Sequence, residues 1–270
     1  MELNNRTVVI TGASKGIGAA TARAFAAQGA RLVLCARTAS LLDSLVAELG
    51  AETAIAVPAD MTRREDVDKL ISKAVERFGR LDILINNAGV GLAGEVNVLS
   101  IDSFRRVIDL NLFGPINAIQ AAVPEMKRTG GGLIINISSM VTKLPLPVIG
   151  GYRATKMALD AISDSARIEL AQSNIRVSTV YPGATITDFF DNVVDRDKAG
   201  SAGWKIDSAQ TAGFVAKKIV HAARREPRVQ YMNLSLHLIA LLGIAVPRLI
   251  EMVTSRRFSA REDKGSSKKG

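Results

Sequence analysis

Short apolar runs recur along the chain at Val8–Ile10, Leu32–Leu34, Ala54–Val57, Ile83–Ile85, Leu133–Ile137 and Val177–Val180. They are rich in β-branched residues and are separated by longer segments with helical spacing of apolar positions. Strands apolar on both faces suit a parallel sheet, because each crossover connection lays a helix over one face. The implied fold class is α/β: a single doubly wound Rossmann domain with a mainly parallel sheet of about seven strands. Helices are predicted over Ala19–Gln28, Leu41–Leu49 and Arg63–Phe78, each followed by a glycine (Gly29, Gly50, Gly79) suited to cap it. Ile101–Arg128 contains Gly114-Pro115, which predicts either one bent helix or two that abut. Tyr152–Leu170 is alanine-rich and predicted helical, and another helix begins near Asp207. Between Pro182-Gly183 and Asp207 lies a polar stretch with Phe189, Phe190 and Trp204. We read it as a lid in preference to a surface excursion with tucked-in aromatics.

Past Tyr231 the pattern changes. Leu234–Val246 is a largely apolar run, interrupted by Ser235 and His237 and followed by Pro247-Arg248. It is short of the ~20 residues that span a bilayer, which leaves an interfacial helix, a subunit contact or a substrate-channel wall. Arg248, Arg256, Arg257, Lys264, Lys268 and Lys269 would favour anionic headgroups; a helix packed on the body with a solvated tail is the equal alternative. The domain division is therefore 1–231 for the Rossmann body, 232–258 for an apolar helical extension and 259–270 for a basic tail expected to be disordered.

Charge sharpens this division. The chain of 270 residues carries a formal charge of +9, of which residues 221–270 hold +6. A near-neutral body with a basic tail argues against a nucleic-acid-reading face and for peripheral contact with an acidic surface such as anionic lipid. The single cysteine, Cys35, lies in an apolar run and reads as a buried thiol in a reducing, cytoplasmic setting. His221 and His237 stand without a cysteine cluster, so no catalytic metal is expected. Met1–Arg6 runs directly into a strand, leaving no room for a signal peptide.

The chemistry begins where the first strand meets Thr11-Gly12-Ala13-Ser14-Lys15-Gly16-Ile17-Gly18 and a helix follows. Glycines let the backbone turn tightly and approach a pyrophosphate, which the free N–H groups of the helix N-terminus favour. The second strand ends in Ala36-Arg37, where an NAD-selective site would carry a carboxylate. Arg37, with Lys15 and Ser14, is suited to a 2′-phosphate, so the expected cofactor is NADP(H).

Together, TGASKGIG, Asn86-Asn87-Ala88-Gly89 and Tyr152-Arg153-Ala154-Thr155-Lys156 resemble the TGxxxGxG, NNAG and YxxxK motifs of the short-chain dehydrogenase/reductase family. The resemblance covers about residues 5–231. It implies that Gly12, Ser14, Lys15, Gly16, Ile17 and Gly18 hold the dinucleotide, and that Asp60 and Met61 lie against adenine. Asn87, Ala88 and Gly89 would flank the adenosine ribose and support the sheet. Pro182, Gly183 and Thr187, matching PGxxxT, would meet the nicotinamide carboxamide.

Tyr152 and Lys156 are four residues apart, on one face of a helix. In isolation that pair reads as an amphipathic surface. A phenol, however, can give a proton to a developing alkoxide if a neighbouring ammonium lowers its pKa from about 10. Ser139 precedes Tyr152 by thirteen positions, the relation the family shows between its substrate-binding serine and its tyrosine. Adjacent Ser138 is expected to support the strand end. Asn111 matches the family's asparagine that holds a lysine-linked water, and an asparagine inside a helix is costly unless its amide finds partners.

The implied function is hydride transfer between NADP(H) and a carbonyl or secondary alcohol. Tyr152 would act as acid/base, Lys156 as ribose clamp and pKa modifier, Ser139 as oxygen-positioning group and Asn111 as water relay. The aromatic lid leans toward a hydrophobic small-molecule substrate. The C-terminal extension makes a homodimer preferable to the family's tetramer. A catalytically silent NADP(H)-binding module would predict broken catalytic positions, yet Ser139, Tyr152, Lys156 and Asn111 are all present; a membrane-associated scaffold is a third reading, and silence with NADPH over a broad panel of ketones and aldehydes would raise both.

Overall fold

The computed structural model describes residues 1–195, 209–252 and 254–256. Trp204, Asp207, Arg257 and the basic tail lie outside the described residues.

Seven strands form one sheet in the order β3-β2-β1-β4-β5-β6-β9, and every neighbouring pair is parallel. They are β1 (Thr7–Thr11), β2 (Arg31–Ala36), β3 (Ala54–Pro58), β4 (Ile83–Asn86), β5 (Gly132–Ile137), β6 (Ile175–Tyr181) and β9 (Val229–Tyr231). Two short strands, β7 (Thr185–Ile186) and β8 (Gln210–Thr211), pair separately. The strand period of two divides the core cleanly. Val8, Ile10, Leu32, Leu34, Ile83 and Ile85 face one helical layer, built from α1 (Gly16–Ala26), α2 (Ala39–Leu49) and α7 (Ala212–Arg225). Val9, Val33, Cys35, Leu84 and Ile134 face the other, with α3 (Arg64–Phe78) and α5 (Gly114–Arg128). Cys35 is fully buried, and burial, with the charges of Asp66 and Asp60, pushes its thiol up to about 12.

The predicted helices are present with shifted ends. α1 begins at Gly16, inside the glycine loop, and its cap residue is Ala27 in place of Gly29. α3 ends as expected at Gly79, whose φ of 77° provides the left-handed cap. Ile101–Arg128 resolves into two helices: α4 (Ile101–Ile108) and α5, joined by one π-helical turn over Asp109–Phe113. α6 (Gly150–Glu169) is the longest described helix and carries Tyr152 and Lys156. α8 (Leu234–Ala245) packs on the 3₁₀ turn Met140–Lys143.

β1 has β2 on one side and β4 on the other, so the chain reverses direction across the sheet at this point. Ligands of open α/β sheets bind in the crevice at such a switch, outside the carboxyl ends of the strands. The glycine loop leaves β1 there, and Asn87–Gly89 leaves β4 beside it.

Candidate active site

The glycine loop packs against its own turn and the Asn87–Ala88 backbone too closely for side chains at two of its glycines. A Cβ on Gly18 would stand 2.1 Å from Gly12 O, and one on Gly12 would stand 2.9 Å from Ala88 Cα. No side chain caps α1 at Lys15, so the first N–H groups of the helix are left to an anion. Asn87 fastens the neighbouring loop, its Nδ2 donating to Thr11 O (2.9 Å) and Gly12 O (3.1 Å). Thr11 Oγ1 accepts from the backbone N–H groups of Asn87 and Ala88 at 3.0 Å each. Across the groove, Thr187 Cγ2 lies 3.1 Å from where a Gly16 Cβ would be, which brings the PGxxxT segment over the glycine loop. These features fit a dinucleotide pyrophosphate.

The adenosine end is more mixed. Arg37 is exposed at the end of β2. Burial pushes the Asp60 carboxyl up, but hydrogen bonds from Thr62 and the charges of Arg37 and Arg63 bring it below its ordinary value. Lys15 is not free for a phosphate: its Nζ pairs with Asp188 at 3.1 Å, both side chains more than half exposed. Such a pair is worth at most about 1 kcal/mol and yields to a better anion. The Met61 side chain, expected against adenine, is buried in the core with its sulfur 3.6 Å from Cys35 Sγ, so the backbone is what Met61 offers.

At the other end of the groove, Ser139, Tyr152 and Lys156 converge. The Tyr152 hydroxyl lies close enough to Ser139 for that side chain to lower its pKa, and Ser139 Oγ accepts from Val141 N at 3.3 Å. Lys156 Nζ donates to Ile137 O, at the end of β5, at 2.9 Å. Ser138 N donates to Val180 O (2.9 Å) as part of the sheet ladder, and its buried hydroxyl has no partner among the described residues, so the side chain itself does not hold the strand end. The Tyr152 ring packs with Leu92 and Val107, and its centroid lies 5.7 Å from that of Phe189. Phe189 and Phe190 meet edge to face at 5.7 Å, and backbone bonds tie Val194 to Gly91 and Ala93. Phe189 is thus tucked into the cluster that holds Tyr152, an arrangement that fits tucked-in aromatics as well as a lid.

The electrostatics depart from the expected lowering of the phenol. Burial pushes Tyr152 up to about 12, against the opposing effect of the Ser139 side chain. Burial likewise brings Lys156 down to about 8, partly offset by the charge of Asp160. Removing both groups from water outweighs what their neighbours return. Asn111 also does more than was expected of it. The π turn presents its side chain to two elements: Nδ2 donates to Val90 O (2.9 Å) and Thr155 Oγ1 (3.1 Å), and Oδ1 accepts from Val90 N (2.9 Å). Both amide hydrogens are thus used within the protein, leaving only acceptor capacity for a water.

Sequence reasoning missed Asp160, one turn beyond Lys156 on the same face of α6. Its Oδ2 accepts from Lys143 Nζ at 3.2 Å, and that ammonium lies 4.2 Å from the Tyr181 ring centroid. The four-residue spacing of a carboxylate after Lys156 was a signal available in the sequence. The buried chain from Asn86 Nδ2 to Asn136 Oδ1 (2.8 Å) and from Asn136 Nδ2 to Ser163 Oγ (2.8 Å), which holds α6 on the sheet, was also missed.

The profile of the short chain dehydrogenase family matches residues 6–198. The chain belongs to this family. It is 40% identical over 219 residues to an uncharacterized oxidoreductase of Methylorubrum extorquens, covering 80% of this chain and 84% of that one. It is 32% identical over 234 residues to dehydrogenase/reductase SDR family member 7B of mouse, covering 84% and 72% respectively. Among solved structures it resembles a 3-ketoacyl-(acyl-carrier-protein) reductase of Brucella melitensis complexed with NADH, with TM-score 0.74 and 28% identity. That match covers 82% of this chain and 91% of the reductase. A short-chain dehydrogenase of Streptomyces avermitilis matches with TM-score 0.81 and 28% identity over 95% of this chain and 98% of its own. The protein is accordingly an oxidoreductase of the short-chain dehydrogenase family with a Rossmann nucleotide-binding fold.

Proposed function

We propose that this oxidoreductase uses NADP(H) to reduce the carbonyl of an apolar small molecule to a secondary alcohol. The observation that carries the reading is the meeting of Ser139, Tyr152 and Lys156 at one end of a groove whose other end is the glycine loop. When bound, the nicotinamide supplies the hydride that adds to the carbonyl carbon. Ser139 Oγ donates to the substrate oxygen and orients it. Tyr152 Oη gives its proton to that oxygen as the C=O π electrons move onto it, completing the alcohol. A phenol held near 12 keeps its proton at neutral pH, which suits an acid in the reductive direction, since the alkoxide formed is the stronger base. Lys156 clamps the ribose and keeps a positive charge beside the phenolate that the transfer leaves. Asn111 holds Val90 and Thr155 in place and, through Oδ1, accepts from a relay water.

Exposed Arg37, at the position where an acidic residue would select NAD, supports NADP over NAD. The Brucella reductase was solved with NADH, so the preference rests on this residue and not on that neighbour. Fluorescence titration with NADPH and NADH is expected to give tighter NADPH binding by at least about tenfold, the worth of one charge-assisted contact. Equal or tighter NADH binding would reject the assignment. Exposed Met157, Ile162 and Ile168 on α6, with Phe113 on the turn packed against it, support self-association as a dimer.

Asp160 gives the reading a pH test. The clamp needs Lys156 protonated, so kcat/KM for NADPH, which reports the free enzyme, is expected to fall as pH rises through about 8. The Asp160 charge raises the Lys156 pKa, so Asp160→Asn is expected to move this fall to lower pH. An unmoved alkaline limb would separate Asp160 from the lysine.

A further inference from the structure

We infer that the C-terminal segment lies flat on an anionic lipid surface. α8 is aliphatic on two sides. Leu236, Ala240 and Gly243, at spacings of four and three, face the body: Ala240 is 1% exposed, and a Cβ on Gly243 would stand 2.2 Å from Lys143 O. The opposite stripe, which a water-facing helix would fill with polar residues, holds Leu234, Leu238 and Leu241, exposed by 72%, 52% and 52%. Leu242, Ile239 and Val246 widen it, and Leu249 and Met252 extend it past a bend of 102° into Pro247–Arg256.

The occupant follows from length and charge. Among the described residues no single helix is long and apolar enough to cross a membrane. The pair Leu234–Gly243 and Pro247–Arg256 reaches spanning length only across its 102° bend, and α8, 12 residues and about 18 Å long, is covered by the body on one side, which leaves its exposed apolar stripe to lie along a surface. Exposed Arg248 and Arg256 stand in the same segment against one exposed carboxylate, Glu251, and residues 257–270 add five Lys/Arg against two Asp/Glu. A symmetric contact with a second copy would bring like charges together, whereas anionic headgroups complement them. Because α8 rests on Met140–Lys143, directly after Ser139, docking would set the substrate end of the groove beside the bilayer. That consequence rests on the proposed reduction of an apolar carbonyl; docking itself does not.

The test is sedimentation of the full chain with phosphatidylcholine vesicles, with and without phosphatidylglycerol. The wild type is expected to partition at least about tenfold more strongly into the anionic vesicles and to be released by salt. Leu238→Glu with Leu241→Glu, both at exposed positions, is expected to lose that partitioning while binding NADPH unchanged. Wild-type protein that stays in the supernatant, or a double variant that pellets equally, would overturn the inference. So would a wild-type dimer that the double variant converts to monomer without either protein binding vesicles. Vesicle binding is read without turnover, so a chain silent on ketones but bound to lipid would sink the reductase reading and leave this one standing.

Discussion

Tyr152→Phe is expected to bind NADPH within about twofold of the wild type and to lose about 10²–10⁴ in turnover, the usual contribution of a positioned general acid. The substitution removes the hydroxyl and keeps the ring, so the contacts with Leu92, Val107 and Phe189 survive. What disappears is the phenolic proton that the proposed step gives to the substrate oxygen. Calorimetric binding and NADPH consumption, measured on one preparation, separate the two effects. Turnover near the wild-type rate would remove the phenol from its assigned role.

Gly18→Ala is expected to abolish dinucleotide binding and to destabilise the fold by about 3 kcal/mol, the upper range for forcing an extra group into a packed site. The new methyl would stand 2.1 Å from Gly12 O and 2.7 Å from Asn87 Nδ2, and neither can retreat cheaply. Gly12 O is backbone, and the Asn87 amide is held by Thr11 O and Gly12 O. Either the loop opens or α1 slides outward, and both spoil the helix N-terminus as an anion site. Thermal melts with and without NADPH would read this directly: the wild type gains stability from the ligand, and the variant melts lower and gains nothing. A variant that keeps full affinity would show that the close packing at Gly18 is incidental to the cofactor groove.

The central sheet was legible because its strands are nearly continuous apolar runs, and strands buried on both faces have little other way to be written. β9 was not marked, since Val229-Gln230-Tyr231 is three half-buried residues with no run to mark it. The π turn at Asp109–Phe113 escaped for a related reason: an inserted residue shifts hydrophobic phase too little to read, although the buried asparagine within it stood out. The motif residues were found, but their energetics were not. Whether Tyr152 is pushed up or down depends on burial beneath Leu92, Val107 and Phe189, which come from three separate parts of the chain. The pairing of Lys15 with Asp188 and the turn of Met61 into the core are likewise tertiary facts. At the C-terminus, sequence alone left a membrane surface and the body as equal partners for Leu234–Val246, with a subunit contact also open. The fold gives one stripe of that helix to the body and leaves the other exposed.

The central claim is that this site moves a hydride onto a carbonyl carbon while Tyr152 supplies the proton. The most direct test uses NADPH deuterated at both C4 positions with a panel of apolar ketones and aldehydes, the products being read by mass spectrometry. The expected result is an alcohol carrying deuterium at its carbinol carbon, formed by the wild type and nearly absent with Tyr152→Phe. Saturating NADPH binding with no labelled alcohol from any member of a broad panel would contradict the account.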